Sequence, residues 1–414
     1  MGKKSVVTFI AISYHCDNLA IEDMYRAYKY RLYPTVEQKQ ILAQHFGNCR
    51  WFYNYALNLS EQTYRETGKG LSRNAIQSLL PSLKKEYDWL GLCYSQCLQV
   101  VALNLSTAYK NFFEKRGGYP RYKSKHGKQS ISYPQKVKIE DDYLKFPGLV
   151  GKVYCRFTRQ FEGIIKTVTI SKTTSDKYFA SILVDDGLEL PSFSSTGKAV
   201  GIDVGITDLA VTSDGEKFSN PKWMSKHERN RVRKERKLAR KVKGSNRRNK
   251  ARLLVSKIHN HIANCRVDFL HKLSRRLVDE NQVIVVENLN VKAMTKNRKL
   301  SRAISQVGWG MFCTMLKYKA EWSGKVYLEI DRFFPSSKTC SHCYHKVKEL
   351  PLNVRNWNCP KCRTSHDRDI NASINIRDEG LRILSVGSID TAHGGRVKPV
   401  RLVEKVSSDE VRIP

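Results

Sequence analysis

Three carboxylates stand at the ends of apolar segments, an unfavourable place for an acid without a partner. Asp203 follows the apolar residues 199–202, Glu287 follows 283–286, and Asp369 lies where a polar stretch leads into a helix-like apolar pattern. A buried, unpaired charge is costly, and a metal ion is one partner that removes the cost. Magnesium and manganese take oxygen ligands, and two such ions in one site suit in-line phosphodiester cleavage. Two strands and one helix start are therefore predicted to bring the three acids to one divalent-metal site.

A second metal-ligand pattern consists of two Cys-x-x-Cys pairs close to the third acid. The pairs are Cys340 with Cys343, and Cys359 with Cys362. In a reducing compartment this spacing is typical of a zinc ribbon, because each turn presents two thiolates to one tetrahedral ion. A redox pair or free thiols are the alternatives. The chain has 11 cysteines, and this odd number argues against a secreted disulfide scaffold and favours the cytoplasm.

The balance of charge indicates a polyanionic partner. The 414-residue chain carries 73 lysines and arginines against 39 aspartates and glutamates, a net charge of +34. Such an excess is unusual for an enzyme of small metabolites and typical of proteins that bind nucleic acid. A solvated basic surface and an anionic membrane surface are the alternatives. No apolar run has the length of a transmembrane helix, so a spanning segment is not expected.

Two basic stretches are predicted to contact the nucleic acid. Residues 115–128 form a loop of basic, aromatic and glycine residues, which suits phosphate contact and base stacking. Residues 226–252 are the most basic stretch, and a helix with so many like charges implies a polyanion lying along it. The residues predicted to make these contacts are Lys115, Arg116, Arg121, Tyr122, Lys123, Lys125, Arg229, Arg233, Arg236, Lys237 and Arg240.

The apolar patterns predict two kinds of domain. Residues 25–33 alternate aromatic or apolar with basic side chains, as in a half-buried strand, and short strands recur from 131 to 190. Together these strands are expected to close a small β-barrel. Between them, apolar residues at spacings of three and four predict a helical bundle whose stripes, including Phe112, are core. The chain from 196 onward predicts an α/β domain around the acidic strands.

Several motifs, in this order, resemble those of the TnpB family, also called OrfB, of insertion-sequence proteins related to type V CRISPR effector nucleases. The resemblance runs from about residue 24 to about 399. Tyr344 and Arg363 depart from the glycine that often follows each cysteine pair, and no ligand is missing. Besides the cysteine pairs, the motifs are Tyr28-Lys-Tyr-Arg-Leu-Tyr-Pro34, Gly201-Ile-Asp-Val-Gly205, Val286-Glu-Asn-Leu289, Pro335-Ser-Ser-Lys-Thr-Cys340 and His366-Asp-Arg-Asp-Ile-Asn-Ala372.

The resemblance implies an RNase H-like nuclease domain of the RuvC type and RNA-guided cleavage of double-stranded DNA beside a short transposon-adjacent motif. The family's catalytic acids fall on Asp203, Glu287 and Asp369, with Asp208 and Asp367 as supporting or capping neighbours. The implied cofactors are Mg²⁺ (or Mn²⁺) and Zn²⁺. The implied partners are a guide RNA from the transposon end and double-stranded target DNA. We expect a cytoplasmic, nucleoid-associated protein with no membrane partner, either a monomer or a weak dimer.

The domain organisation expected from these patterns is an α/β nuclease domain combined with a small β-barrel. The expected segments are a dispensable extension (1–23), a wedge-like β-barrel (24–45 and 126–195), a helical recognition lobe (46–125), a RuvC-like nuclease domain (196–334 and 364–380), an inserted four-cysteine zinc ribbon (335–363) and a flexible tail (381–414).

Other functions remain open from the sequence. Taken singly, each acid is more simply a turn cap or a surface residue. A guide-directed DNA-binding regulator or a transposition accessory protein would use the same scaffold without cleavage. A transposase that moves DNA ends itself, or a basic zinc-ribbon protein of the ribosome or RNA polymerase, are further alternatives. The three acids in order favour the nuclease.

Overall fold

The computed structural model describes residues 25–188, 191, 194, 196–298 and 300–390. The predicted extension over 1–23 and residues 391–414 of the predicted tail lie outside this range. Two compact units divide the described residues: the first takes the chain up to Pro191 with Lys222–Lys272, and the second takes Ser192–Pro221 with the chain from Leu273 onward. Among the described helices, none is long and apolar enough to cross a membrane.

Strands and helices alternate in blocks along the chain. The strands are β1 (Tyr25–Tyr33), β2 (Gln129–Tyr133), β3 (Lys138–Glu140), β4 (Tyr143–Phe146), β5 (Gly151–Arg156), β6 (Ile164–Lys172), β7 (Tyr178–Asp185), β8 (Ala199–Asp203), β9 (Asp208–Thr212), β10 (Lys217–Ser219), β11 (Val283–Glu287), β12 (Val326–Ile330), β13 (Asn356–Asn358) and β14 (Ser365–Asp367). The helices are α1 (Val36–Thr67), α2 (Arg73–Ser78), α3 (Leu80–Glu86), α4 (Asp88–Gly91), α5 (Ser95–Phe113), α6 (Trp223–Lys226), α7 (Glu228–Ala239), α8 (Asn246–Glu280), α9 (Val291–Met294), α10 (Ser301–Val307), α11 (Trp309–Trp322) and α12 (Arg368–Asp390).

The first unit is built on a seven-stranded antiparallel sheet with the order β2-β6-β7-β1-β5-β4-β3. The predicted strand over 25–33 is confirmed as β1, which pairs with β7 and β5 at the centre of the sheet. The predicted barrel does not close: in the described part of the chain, β2 and β3 are edge strands. The helical bundle packs at the β2 edge, where Tyr133 Oη lies 3.5 Å from His45 Nδ1.

The predicted start of the first helix is confirmed as a capping box. Thr35 Oγ1 accepts a hydrogen bond from the Gln38 backbone, and Gln38 Oε1 accepts one from the Thr35 backbone. The helix ends at Gly68, whose φ of 72° lies in the left-handed region that favours glycine. Because α1 is continuous, the predicted boundary between 45 and 46 falls inside a helix.

The segment Lys222–Lys272, expected in the nuclease domain, clusters with the first unit instead. The reason lies in α8, where Asn260 Nδ2 donates to Ser175 Oγ in the turn between β6 and β7. The predicted break at Gly244 is confirmed, since α7 ends before it and α8 begins two residues after it. The basic helix α7 and the long helix α8 therefore follow the short α6.

The second unit holds a five-stranded sheet with the order β10-β9-β8-β11-β12. β8 runs antiparallel to β9 and parallel to β11, and β11 runs parallel to β12. Apolar residues of β11 and β12 form a core with α12 that includes Ile376, Ile383 and Leu384. The predicted flexible tail was wrong over 381–390, where the chain continues α12, because Ile383 and Leu384 repeat the apolar face of Ile376 after two turns.

Two glycines allow α12 to lie directly on the sheet. A Cβ atom at Gly201 in β8 would stand 2.0 Å from the Ser373 backbone oxygen and 2.5 Å from the Arg377 nitrogen. A Cβ atom at Gly380 would stand 2.5 Å from a methyl group of Val285. This close approach fixes the start of α12 beside the end of β8.

Candidate active site and metal centre

Asp203 and Glu287 lie side by side at the ends of two parallel strands. β8 and β11 pair with Ile202 opposite Val286, so the residue that follows in each strand is an acid. The apolar residues before each acid are buried, whereas each acid is partly exposed. Neighbouring strands lie about 4.8 Å apart, and the charge of Glu287 acts on Asp203.

Asp369 approaches this pair from the first turn of α12. Asp367 Oδ1 accepts hydrogen bonds from the backbone N–H groups of Asp369 and Ile370, both at 3.1 Å, and so caps the helix. Lys217 Nζ lies 2.6 Å from Asp367 Oδ2. Asp367 is thus a helix cap, as predicted, and Asp369 is the acid that adds its charge to Asp203. Arg355 Nη1 lies 3.2 Å from Asp369 Oδ1.

Burial raises the pKa of two of the acids, Asp203 and Glu287, and charge repulsion adds to the effect at Asp203. Burial first, and then the charges of Glu287 and Asp369, raise the pKa of Asp203 from 3.8 to about 8. Burial also raises the pKa of Glu287, against the effect of a hydrogen bond from Ser336. Converging carboxylates oppose one another's ionisation unless a cation neutralises them. This oxygen-only donor set therefore fits a hard divalent cation.

Ser336 holds the Glu287 carboxylate and Asn375 holds the backbone of Ser336, and neither of them was assigned a role from the sequence. Ser336 Oγ donates to Glu287 Oε1 at 2.6 Å. Asn375 Nδ2 donates to the backbone oxygens of Ser336 and Thr339 at 2.7 and 2.6 Å. Both residues are buried. The available signal was Asn375 itself, a polar residue among apolar ones on the inner face of a helix.

The turn after Asp203 is fixed from two sides. Trp309 Nε1 donates to the Gly205 backbone oxygen at 3.1 Å. A Cβ atom at Gly205 would stand 2.8 Å from the Asp208 oxygen, so this tight turn requires glycine. Asp208 accepts a hydrogen bond from Ser219 Oγ at 3.1 Å and links β9 to β10, a supporting position.

The four predicted cysteines converge. Among the described residues, they are the one group of potential metal ligands whose ligand atoms all lie within 4.8 Å of one another. The Sγ atoms of Cys340 and Cys362, and of Cys343 and Cys359, are 3.6 Å apart, close to the spacing of about 3.8 Å in a tetrahedron with 2.3 Å zinc–sulfur bonds. Hydrogen bonding to Thr364 is the main cause that lowers the pKa of Cys362 to about 6, whereas burial raises the pKa of Cys340. Zinc binds cysteines as thiolates, and a bound cation would favour that form in all four.

The cysteine segment is joined to α12 by buried polar contacts. His366 Nε2 lies 3.0 Å from Cys340 Sγ. Arg368 Nη1 donates to the Pro351 oxygen at 2.6 Å, and Asn371 Nδ2 donates to the Thr339 oxygen at 2.7 Å. His366, Arg368 and Asn371 flank Asp369 in the sequence. The cysteine cluster and the third acid thus share one support.

The predicted contact residues of the loop divide into two groups. Tyr122 Oη donates to Glu61 at 2.8 Å, and Lys123 Nζ lies 3.8 Å from the centre of the Tyr53 ring, so both side chains make contacts inside the first unit. Arg116 forms an ion pair with Glu114. Lys115, Arg121 and Lys125 are exposed to solvent. All six belong to a loop that the structure keeps on the surface.

The predicted contact residues of α7 share one exposed side of the helix. On the other side of the helix, Arg231 forms ion pairs with Glu228 and Glu235, at 2.7 and 2.6 Å. These two are the acidic residues of α7. The exposed side borders a groove of about 490 Å³, lined by Glu228, Arg229, Val232, Arg233, Arg236, Lys237 and Arg240. All five predicted cations therefore line one groove.

Three family models match successive parts of the chain. Residues 24–69 match a "Helix-turn-helix domain" of the OrfB_IS605 type, and residues 181–298 match OrfB_IS605, described as "Probable transposase". Residues 309–376, which contain the four cysteines, match the "Cas12f1-like, TNB domain". The three acids and the four cysteines thus all lie within matched family regions.

Known proteins match the chain over most of its length. A "Putative RNA-guided DNA endonuclease" of Streptomyces pristinaespiralis is 39% identical over 95% of this chain and 96% of its own. "Putative RNA-guided DNA endonuclease InsQ" of Escherichia coli K12 is 31% identical over 88% of this chain and 94% of its own. A solved structure, "Cryo-EM structure of the Cas12f1-sgRNA-target DNA complex", shares the fold with a TM-score of 0.54 at 12% identity, covering 86% of this chain and 98% of that one. The chain belongs to the TnpB/OrfB family.

Proposed function

We propose that the protein is a transposon-encoded, RNA-guided endonuclease that cuts double-stranded DNA next to a short transposon-adjacent motif. The observation that supports the proposal is that the parallel strands β8 and β11 end in Asp203 and Glu287, and that the charges of Glu287 and Asp369 both act on Asp203. The family supports cleavage guided by RNA, because relatives that match over most of their length carry the name "Putative RNA-guided DNA endonuclease".

The nuclease domain is proposed to be RNase H-like, of the RuvC type. Its sheet has three antiparallel strands, β10, β9 and β8, continued by the parallel strands β11 and β12. This order puts the ends of β8 and β11 at the middle of the sheet, where the following helix can add a third ligand. The same fold in the Cas12f1 complex supports this assignment.

The three acids are proposed to hold Mg²⁺ or Mn²⁺. Bound there, the divalent ions would supply an activated water and stabilise the charge on the leaving oxygen. Ser336 orients Glu287, Asp367 fixes the helix turn that carries Asp369, and the Gly205 turn sets Asp203. These residues keep the carboxylates in place before the ions and the substrate arrive.

Zinc is proposed for the four cysteines, with a structural role. Four sulfur ligands complete a tetrahedral shell and leave no open position for a substrate. The hydrogen bonds of Arg368, Asn371 and Asn375 tie the ribbon segment to the helix that carries Asp369. Zinc at this place would hold the third acid and, through Ser336, the second.

The cationic loop and helix are proposed to bind the backbones of the guide RNA and the target DNA. With a net charge of +34, the chain has ample positive charge to neutralise phosphates without reading their sequence. Sequence would be read by base pairing between guide and target, as in other RNA-guided systems.

Sequencing the RNA that co-purifies with the protein tests the guided function. The protein would be expressed together with its flanking DNA, and Asp203→Ala would be purified in parallel. We expect one abundant RNA species that ends in flanking sequence, equally bound by both proteins, because Asp203 acts on cleavage. Heterogeneous RNA, or none, would contradict the guided function. An intact guide complex that binds matching DNA without cutting it would identify the alternative, a guide-directed regulator.

A further inference from the structure

Four aromatic rings form a connected surface at the end of α5 and the start of the following loop. This aromatic shelf consists of Tyr109, Phe112, Phe113 and Tyr119. Phe112 contacts Phe113 and Tyr119 with ring centres 5.3 and 5.2 Å apart, and Tyr109 contacts Tyr119 at 5.9 Å and Phe113 at 6.5 Å.

The shelf faces solvent, although the helical pattern had predicted Phe112 in the core. The last fully buried residue of α5 is Leu105, Tyr109 packs half-buried against the core, and the final turn runs beyond it. Phe113 is 73% exposed, Tyr119 45% and Phe112 36%. Several large apolar side chains in contact on a surface mark a binding site more often than scattered single ones do.

Hydrogen bonds hold the loop that carries Tyr119 in one conformation. The Asn111 backbone oxygen accepts from the N–H groups of Arg116 and Gly117 at 2.8 and 2.9 Å, which turns the chain back onto α5. Farther along, the side chain of Asn54 in α1 makes two hydrogen bonds with the Lys123 backbone, at 2.7 and 3.0 Å. The rings are therefore ordered in advance, which lowers the entropy cost of binding a ligand.

The charge around the shelf identifies the kind of partner. The loop from 115 to 128 contains no acidic residue, and its cations are Lys115, Arg116, Arg121, Lys123, Lys125 and Lys128. A second copy of the chain would bring an equally basic loop against the first, and four rings are few compared with the roughly 20–30 residues that a stable interface takes from each side. A polyanion with flat apolar groups fits both features.

We propose that the aromatic shelf stacks unpaired bases of a nucleic acid strand whose phosphates lie along the basic loop. Aromatic side chains beside a cationic groove bind single strands in this way, and stacking tolerates any base because every base has a flat face. Phe113, the most exposed ring, is the primary stacking residue. This inference rests on the nucleic-acid binding of the proposed function and not on cleavage.

Binding of short single strands labelled with 2-aminopurine tests the inference, with DNA and RNA of the same sequence as separate arms. In wild-type protein we expect quenching of the label and measurable affinity in at least one arm. Phe113→Ala should weaken that affinity by about 5- to 150-fold and abolish the quenching. Phe113→Trp should restore both, since it restores a stacking surface.

Salt dependence separates stacking from charge. Phe113→Ala should leave the slope of log affinity against log salt unchanged, because no phosphate contact is lost. Arg121→Ala should reduce that slope by about 0.7. Leu149→Ala, at an equally apolar and 55% exposed position of the same unit, is the matched control and should bind like wild type.

The outcomes are distinct. Wild-type binding and quenching that survive Phe113→Ala would overturn the stacking role alone. Loss of self-association in Phe113→Ala, measured by light scattering with unchanged affinity for both strands, would assign the shelf to a second copy and also overturn it. A wild-type protein that binds neither strand would overturn the proposed nucleic-acid function together with the inference.

Discussion

The folded chain disfavours the ionised form of Asp203. The stability of the metal-free protein should therefore depend on pH in a definite direction. Burial and the neighbouring acids raise its pKa from 3.8 to about 8. The unfolded chain releases this proton near pH 4, whereas the folded chain keeps it until about pH 8. The free energy of unfolding of the metal-free protein should therefore fall as pH rises through this window.

Thermal unfolding of wild type and Asp203→Asn at pH 5 and pH 8 checks this expectation. Without divalent ions, the Tm of wild type should fall relative to that of the variant when the pH is raised from 5 to 8. Each kcal/mol of difference in the free energy of unfolding corresponds to about 2–4 °C in Tm. Added Mg²⁺ should raise the Tm of wild type at pH 8 and have little effect on the variant. A Tm difference that does not change with pH would contradict the assigned burial and repulsion.

Ser336 positions Glu287, so its loss should damage the site more than the fold. Ser336→Ala removes the hydroxyl that donates to Glu287 Oε1 at 2.6 Å. We expect cleavage to slow by about 10–100-fold and Mn²⁺ to bind correspondingly more weakly, as for other residues that orient metal ligands. Ser336→Thr, which keeps the hydroxyl, should restore both values.

Ser337→Ala is the matched control for this prediction, because Ser337 is the next residue of the same turn. Cleavage rates and Mn²⁺ affinities measured on the three variants decide the matter. Equal values for Ser336→Ala and Ser337→Ala would show that Glu287 needs no such support.

At the scale of elements, the packing of α12 on β8 brings the acids together. A methyl group at Gly201 cannot be accommodated, because its nearest neighbours, at 2.0 and 2.5 Å, are backbone atoms of α12. Gly201→Ala should therefore push the helix away, destabilise the protein by about 1–3 kcal/mol and abolish cleavage. Thermal unfolding and a cleavage assay measure the two effects.

Gly310→Ala provides the contrast within the same unit. Nothing lies within 4 Å of a Cβ atom at this position in α11, so the change should be neutral or slightly stabilising, by up to about 1 kcal/mol. If both variants unfold and cleave like wild type, α12 does not lie against β8 as described.

Zinc binding by the cysteine segment can be tested by replacing one cysteine inside the cluster and one outside it. Cys340→Ser removes one ligand of the cluster, and native mass spectrometry should show the loss of one bound zinc per chain. Cys265→Ser, outside the cluster, should retain the metal. Because Asn371 and Asn375 join the segment to α12, zinc loss should also weaken Mn²⁺ binding at the acids. Retained zinc in Cys340→Ser would contradict the assignment.

The elements show what local sequence determines. The period-two pattern of β1, the capping box of α1 and the glycine break before α8 act within a few residues, and each was predicted from the sequence. Phe112 continues the apolar stripe of α5. Whether a core lies opposite that stripe depends on tertiary packing, and no core lies opposite Phe112. The extent of α12 and the open edge of the sheet also depend on distant contacts.

The candidate site divides in the same way. Asp203 and Glu287 could be predicted because each interrupts an apolar strand, and the cysteines because their spacing is local. Ser336 and Arg355 contact Glu287 and Asp369 across 49 and 14 residues of sequence, and no local pattern shows these pairings. Asn375 acts indirectly, because its side chain holds the backbone of Ser336, 39 residues away.

At the scale of the whole molecule, excess charge and family membership point to the same partners. A net charge of +34 requires a polyanion or a strong counter-ion atmosphere, and full-length relatives carry the name of RNA-guided DNA endonucleases. Under the proposed function the acids would cut, the cysteines would hold the site and the basic surfaces would bind the strands. Cleavage of DNA directed by a guide RNA is the central claim about this protein.

The most direct test of that claim is cleavage of a plasmid library by the protein purified with its guide RNA. Each plasmid would carry a target that matches the guide beside randomised flanking sequence, and a second library would carry a mismatched target. We expect double-strand cuts in Mg²⁺ only at matching targets, with one short flanking motif enriched, and no cuts by Asp203→Asn or with a chelator. Cuts that ignore the match, or an Asp203→Asn protein that cuts like wild type, would contradict it.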